Sequence, residues 1–137
     1  DFIAQARRVR KVLGGGMRQA GILAAAGIVA LTEMPPRLAE DHAHAARFAR
    51  GLEGLPGLSV VPAPVRTNIV YLDLDPAGPT AAEVAAAAAA RGVKLLALGP
   101  RRLRAVTHHH IREADIDQAV AVLSALAGAL RTPAART

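Results

Sequence analysis

The stretch Arg10-Lys-Val-Leu-Gly-Gly-Gly-Met-Arg-Gln-Ala-Gly21 decides how the N-terminal part of the chain folds. Three consecutive glycines separate a basic segment from a long apolar one. A glycine inside a helix costs about 1 kcal/mol relative to alanine, so a helix through all three would lose about 3 kcal/mol. The spacing therefore predicts a break at Gly14–Gly16 and a second helix starting near Met17. The start of a helix carries free backbone N–H groups and the positive end of the dipole, which suit an anion. Arg18, expected in the first turn, adds a forked donor set for phosphate or carboxylate, and Lys11 lies seven residues earlier. Spacing alone leaves two readings open, a plain turn between helices or an anion-binding corner. The run is neither a P-loop nor a dinucleotide fingerprint, because no Gly-Lys-Ser/Thr follows and the Gly-x-Gly-x-x-Gly spacing is missing.

Working outward, the 137 residues suffice for one core and are short for two full domains. The opening Asp1-Phe-Ile-Ala-Gln-Ala reads as mid-helix, which suggests a fragment. Without cysteine there are no disulfides or thiolate metal sites, and a cytoplasmic, reducing compartment is expected. The apolar run Ala20–Leu31 is too short to span a bilayer, so no membrane partner is expected. A formal net charge of +6 invites a nucleic-acid reading. Two phenylalanines, one tyrosine and no tryptophan leave few stacking platforms, and the arginines are dispersed, so that reading is set aside.

In order, residues 1–13 read as a basic helix with Phe2, Ile3, Ala6, Val9 and Leu13 along one stripe. Residues 17–33 read as a helix apolar on nearly every side, which belongs in a core or a subunit interface. Pro35-Pro36 ends it and opens a helix whose stripe is Leu38, His42, Ala45, Ala46, Phe48, Ala49 and Leu52. Its charged residues, Asp41 included, are expected largely outside. Leu58–Val61 reads as a short strand that Pro62 and Pro64 make an edge or a strand end, and Ile69–Leu74 as a central strand. Thr80 and Glu83 form a capping box for a helix over 81–91, closed by Gly92. Val93–Ala97 and Leu103–Thr107 pair as strands across Gly99-Pro100. Arg112–Leu130 is the last helix, and 131–137 should fray. The expected fold class is thus α/β: long helices leading into a small sheet covered on one face by helices. The expected division is a helical linker over 1–34, a small α/β domain over 35–131 and a disordered tail over 132–137.

Arg104 is the next residue with chemistry. On a strand, Arg102 and Arg104 face one side while Leu103 and Ala105 face the other. An arginine there can pair both oxygens of a carboxylate. It can equally belong to a solvated basic edge. Five histidines raise the question of a metal: His108 and His110 share a face if the strand continues, and His42 and His44 add two more nitrogens. Positions i and i+2 of a helix diverge and no acidic ligand has suitable spacing, so no metal is expected. Ser59 and Ser124 lack a nucleophile elbow.

Four segments resemble the threonine aldolases, pyridoxal-phosphate lyases of the aminotransferase fold type I. They are Lys11–Gly21, Leu38-Ala-Glu-Asp-His42, Thr67-Asn-Ile-Val70 and Arg104-Ala-Val-Thr-His108, in the family's order. The resemblance covers nearly the whole chain but only the last part of the family's length. It implies the C-terminal domain of such an enzyme, pyridoxal 5'-phosphate as cofactor, and cleavage of L-threonine or allo-threonine to glycine and acetaldehyde. It also implies a homo-oligomer, a homotetramer in the usual form. Among the residues, the resemblance makes Arg104 the holder of the substrate's α-carboxylate. Arg18 and Lys11 serve the cofactor phosphate, with Arg18 reaching a neighbouring subunit's site. The family's Schiff-base lysine lies upstream of the glycine run, and neither Lys11 nor Lys94 matches it. No catalytic residue is therefore expected in this chain, and the chain alone is expected to be inactive. After His108 the family has other residues than His109 and His110. Two alternatives stay open: a non-catalytic remnant or interaction domain, and another fold type I lyase.

Overall fold

The computed structural model describes residues 1–130, so the tail expected over 132–137 lies outside the described residues. The chain divides into two compact units, Asp1–Pro36 and the part from Arg37 onward.

In the first unit, α1 covers Phe2–Val12, and the Asp1 carboxylate accepts from the Ile3 N–H at its start. The glycine run ends α1 as its composition dictates. Gly14 sits at φ +77°, the Gly14 N–H donates to the Lys11 carbonyl, and the Gly15 N–H donates to the Arg10 carbonyl. This is the Schellman arrangement, with glycine in the left-handed position that costs other residues about 1 kcal/mol. Helix α2 covers Gly21–Thr32 rather than starting near Met17. The delay has a local cause: Gln19 adopts φ +51°, a left-handed conformation that no right-handed helix can contain. Arg18 thus lies in the turn before α2, not in its first turn, and the helix-start geometry inferred for it is corrected. The apolar residues of α2 are exposed, Ile22 at 84% and Leu31 at 79%. Among the described residues no single helix is long and apolar enough to cross a membrane.

The second unit is the expected α/β layer pair. After a 3-10 turn at Pro35–Arg37, α3 runs Leu38–Gly51 and buries Ala45, Phe48 and Ala49. Strands β1 (Leu58–Val60), β2 (Ile69–Leu74), β3 (Leu96–Ala97) and β4 (Arg102–Val106) form one antiparallel sheet in the order β1-β2-β4-β3. Leu58–Val60 is thus an edge and Ile69–Leu74 is central. Helix α4 covers Ala81–Ala89, with the Thr80/Glu83 capping box formed in both directions. Helix α5 covers Glu113–Leu130.

One face of the sheet carries the core. Val70, Leu72, Leu74 and Leu103 are buried with Phe48, Leu52, Val84, Ile116 and Leu123 from the helices. Gly51 lies so near α5 that a Cβ there would stand 2.6 Å from Val120 Cγ2. The opposite face bears Tyr71, Asp73, Arg102 and Arg104, none of which belongs to the core cluster of the described residues.

Two local expectations are corrected. Lys94 is not in a strand, since β3 begins only at Leu96. The reason is that Val93 closes α4: its N–H donates to the Ala88 carbonyl and its side chain enters the core, while Gly92 takes φ +83°. Asp41, placed outside by the helical stripe, is 4% exposed. Its burial is compensated by Arg37, whose guanidinium lies 3.2 Å from Asp41 Oδ1 and 3.3 Å from Glu40 Oε2.

Candidate functional site

Three of the quoted segments meet at Thr107, just beyond the end of β4. The Thr107 N–H donates to the Asn68 carbonyl at 2.9 Å, and Asn68 Nδ2 donates back to the Thr107 carbonyl at 2.8 Å. The buried Thr107 hydroxyl donates to the Asp41 carbonyl at 2.6 Å. One residue therefore ties α3, the entry to β2 and the exit of β4 together. This junction fixes the register in which Arg104 stands opposite Tyr71 on β2.

The three arginines around β4 have different electrostatic settings. Arg101 donates to the carbonyls of Asp75, Gly78 and Pro79, at 3.1, 2.6 and 3.0 Å, and so closes the turn before α4. Arg102 forks onto Asp73 at 2.6 and 2.8 Å and lies 6.0 Å from the Tyr71 ring centre. That fork, a hydrogen-bonded ion pair, raises the Arg102 pKa and holds the Asp73 carboxyl below its ordinary value. Arg104, on the same face two residues on, has no ion-pair partner among the described residues. Its Nε is buried and has no hydrogen-bond partner among the described residues. A buried donor left unpaired costs about 1–3 kcal/mol, which an arriving carboxylate would recover. The solvated basic edge describes Arg102; it does not describe Arg104.

Lys11 and Arg18 lie in the first unit, where both side chains are exposed. No ion pair among the described residues involves residues 1–36. Five cations there (Arg7, Arg8, Arg10, Lys11 and Arg18) stand against Asp1 and Glu33. Two exposed, uncommitted cations fit a phosphate. Lys94 is elsewhere in the second unit. It lines a groove of about 390 Å³ with Phe48, Val93, Thr107, His110 and Arg112, and Arg104 is not part of that lining.

The histidines differ from expectation. The strand ends at Val106, and His108–His110 occupy a turn closed by the Ile111 N–H on the His108 carbonyl at 2.7 Å. The turn gathers all three rings, with ligand nitrogens within 4.8 Å of one another. His42 and His44 are not part of this cluster. Partial loss of hydration, then the neighbouring His110, Arg37 and His108, holds His109 below the ordinary imidazole value; Asp41 opposes this. Sequence reasoning missed this grouping because it judged the histidines as strand or helix residues, whereas a turn brings consecutive side chains together.

With this geometry in hand, residues 1–75 match the family model described as beta-eliminating lyase. The chain belongs to the beta-eliminating lyase family. Among curated relatives, low-specificity L-threonine aldolase 1 of Arabidopsis thaliana is 41% identical over 117 residues, 85% of this chain and 33% of that protein. The low specificity L-threonine aldolase of Escherichia coli K12 is 60% identical over 52 residues, 38% of this chain and 16% of that protein. The chain spans about a third of the length of the Arabidopsis relative. Solved structures share the fold. The cystine C-S lyase C-DES, in complex with its reaction product cysteine persulfide, superposes with a TM-score of 0.63 at 20% identity, covering 77% of this chain and 28% of that one. MppP, soaked with 2-ketoarginine, gives 0.58 at 18% identity over 72% of this chain and 30% of that one.

Proposed function

We propose that this chain is the C-terminal part of a pyridoxal-phosphate-dependent threonine aldolase that cleaves L-threonine or allo-threonine to glycine and acetaldehyde. The observation that carries this reading is the unpaired, buried Nε of Arg104 beside the neutralised Arg102. In this reading Arg104 holds the substrate α-carboxylate, fixing the amino acid so that its Cα–Cβ bond is correctly oriented. Lys11 and Arg18 bind the cofactor phosphate. The bound cofactor supplies the sink for the electron pair left on Cα when Cα–Cβ breaks. Removal of the β-hydroxyl proton, which frees the aldehyde, falls to a base outside this chain, as does the lysine that holds the cofactor. The chain alone is then inactive. The exposed apolar residues of α2 support assembly into an oligomer.

The test is product analysis with the complete protein. Equal yields of acetaldehyde and glycine from L-threonine support the aldolase reading. Pyruvate and sulfide from L-cysteine, with no acetaldehyde from threonine, would assign a different lyase. Borohydride reduction in the presence of the cofactor, followed by peptide mapping, should label a lysine other than Lys11 and Lys94. Stoichiometric labelling of either would contradict the division of roles.

A further inference from the structure

We propose that His108, His109 and His110 form a three-nitrogen site for a divalent first-row transition ion, Zn²⁺ being the probe that fits it best. The proposal is independent of the aldolase reading. Imidazole nitrogens suit zinc, and three of them leave a fourth position for water or an added ligand. With Zn–N near 2.0–2.1 Å, ligand nitrogens in a tetrahedral site stand about 3.4 Å apart. The nitrogens here are already within 4.8 Å of one another, so small rotations of exposed rings complete the set.

What separates this cluster from any run of three histidines is the frame that holds it. On its N-terminal side, Thr107 is buried and bonded to Asn68 and Asp41. On its C-terminal side, the Ile111 N–H closes the turn onto the His108 carbonyl, and the Arg112 N–H donates to Asp115 Oδ2 at 2.8 Å as α5 begins. Within the turn, the His108 and His110 rings meet edge to face at 5.6 Å, and the His109 and His110 rings lie 3.7 Å apart. The backbone of the turn is therefore ordered before an ion arrives and only the rings must adjust, which raises affinity over a flexible peptide. The His110 N–H rests on His108 Nδ1 at 3.3 Å, and His108 gives up this long bond when it ligates, either directly through Nδ1 or through Nε2 once the ring proton has moved to Nδ1. The nearby Arg37 does not oppose a cation with its full charge, because Glu40 and Asp41 are paired to it.

The experiment is Zn²⁺ titration of the chain, free of any affinity tag, by calorimetry, with Co²⁺ absorption reporting coordination number. The expected result is one equivalent per chain, bound at least tenfold tighter than by a free peptide of residues 107–112. His109→Asn should weaken binding at least tenfold with the far-UV spectrum unchanged, and His42→Asn should leave it within threefold. Affinity equal to that of the peptide, indifference to His109→Asn, or loss of binding in His42→Asn would each overturn the proposal.

Discussion

The Thr107 hydroxyl donates a 2.6 Å hydrogen bond to the Asp41 carbonyl, joining residues 66 apart in the chain. Both ends are buried, and the same threonine is bonded through its backbone to Asn68. The strand that carries Arg104 is thereby anchored to α3 at its C-terminal end, three residues beyond the arginine. Thr107→Val keeps the side chain's shape and removes the donor. Urea unfolding should show a loss of about 1–2 kcal/mol. A midpoint unchanged from wild type would mean that the bond does not hold the junction.

Close packing of α3 on α5 gives a second prediction. A Cβ at Gly51 would lie 2.6 Å from Val120 Cγ2 and 2.9 Å from Cγ1. Valine is stiff at χ1 and cannot turn aside freely. Gly51→Ala should destabilise by about 1–3 kcal/mol through overpacking. Gly51→Ala combined with Val120→Ala should lose the clash and show strong coupling in a double-mutant cycle. Additive losses would place the strain elsewhere.

Much of this was legible in the sequence because it is written in local chemistry. The glycine run, Pro35-Pro36, the Thr80–Glu83 box and the alternation of Ile69–Leu74 each have a backbone consequence that needs no tertiary context. What was not legible depends on long-range partners or rare conformations. Gln19 at positive φ postpones α2, and no residue-type preference announces that. Asp41 is buried because Thr107 and Arg37 come to it. Lys94 leaves the sheet because Val93 is consumed in closing α4. For the site, strand alternation put Arg102 and Arg104 on one face, but only the Asp73 fork tells which of them is free.

That fork also sets a pH signature. Hydrogen bonding to Arg102 holds Asp73 below its ordinary value, and hydrogen bonds from Thr80 hold Glu83 below its own. For a carboxylate depressed in the folded state, the contribution is full above the unfolded pKa and disappears as pH falls through the folded one. Carboxyl-carbon NMR titration should show Asp73 titrating below the ordinary aspartate range in the wild type. In Arg102→Ala it should return upward to that range. An Asp73 titration insensitive to Arg102→Ala would refute the pairing in solution. Glu83 should respond to Thr80→Ala and not to Arg102→Ala.

The central claim is that Arg104, and not its neighbour, receives the substrate carboxylate. The most direct measurement compares Arg104→Ala and Arg102→Ala in the complete enzyme, reading kcat/KM for L-threonine and the inhibition constant of glycine. A charge-assisted pair contributes about 1.5–3 kcal/mol, so Arg104→Ala should lower kcat/KM and weaken glycine binding by roughly 10–150-fold. Arg102→Ala should leave both within about threefold, as expected for an exposed ion pair worth about 0–1 kcal/mol. Unchanged values in Arg104→Ala, or a larger loss in Arg102→Ala, would contradict the assignment.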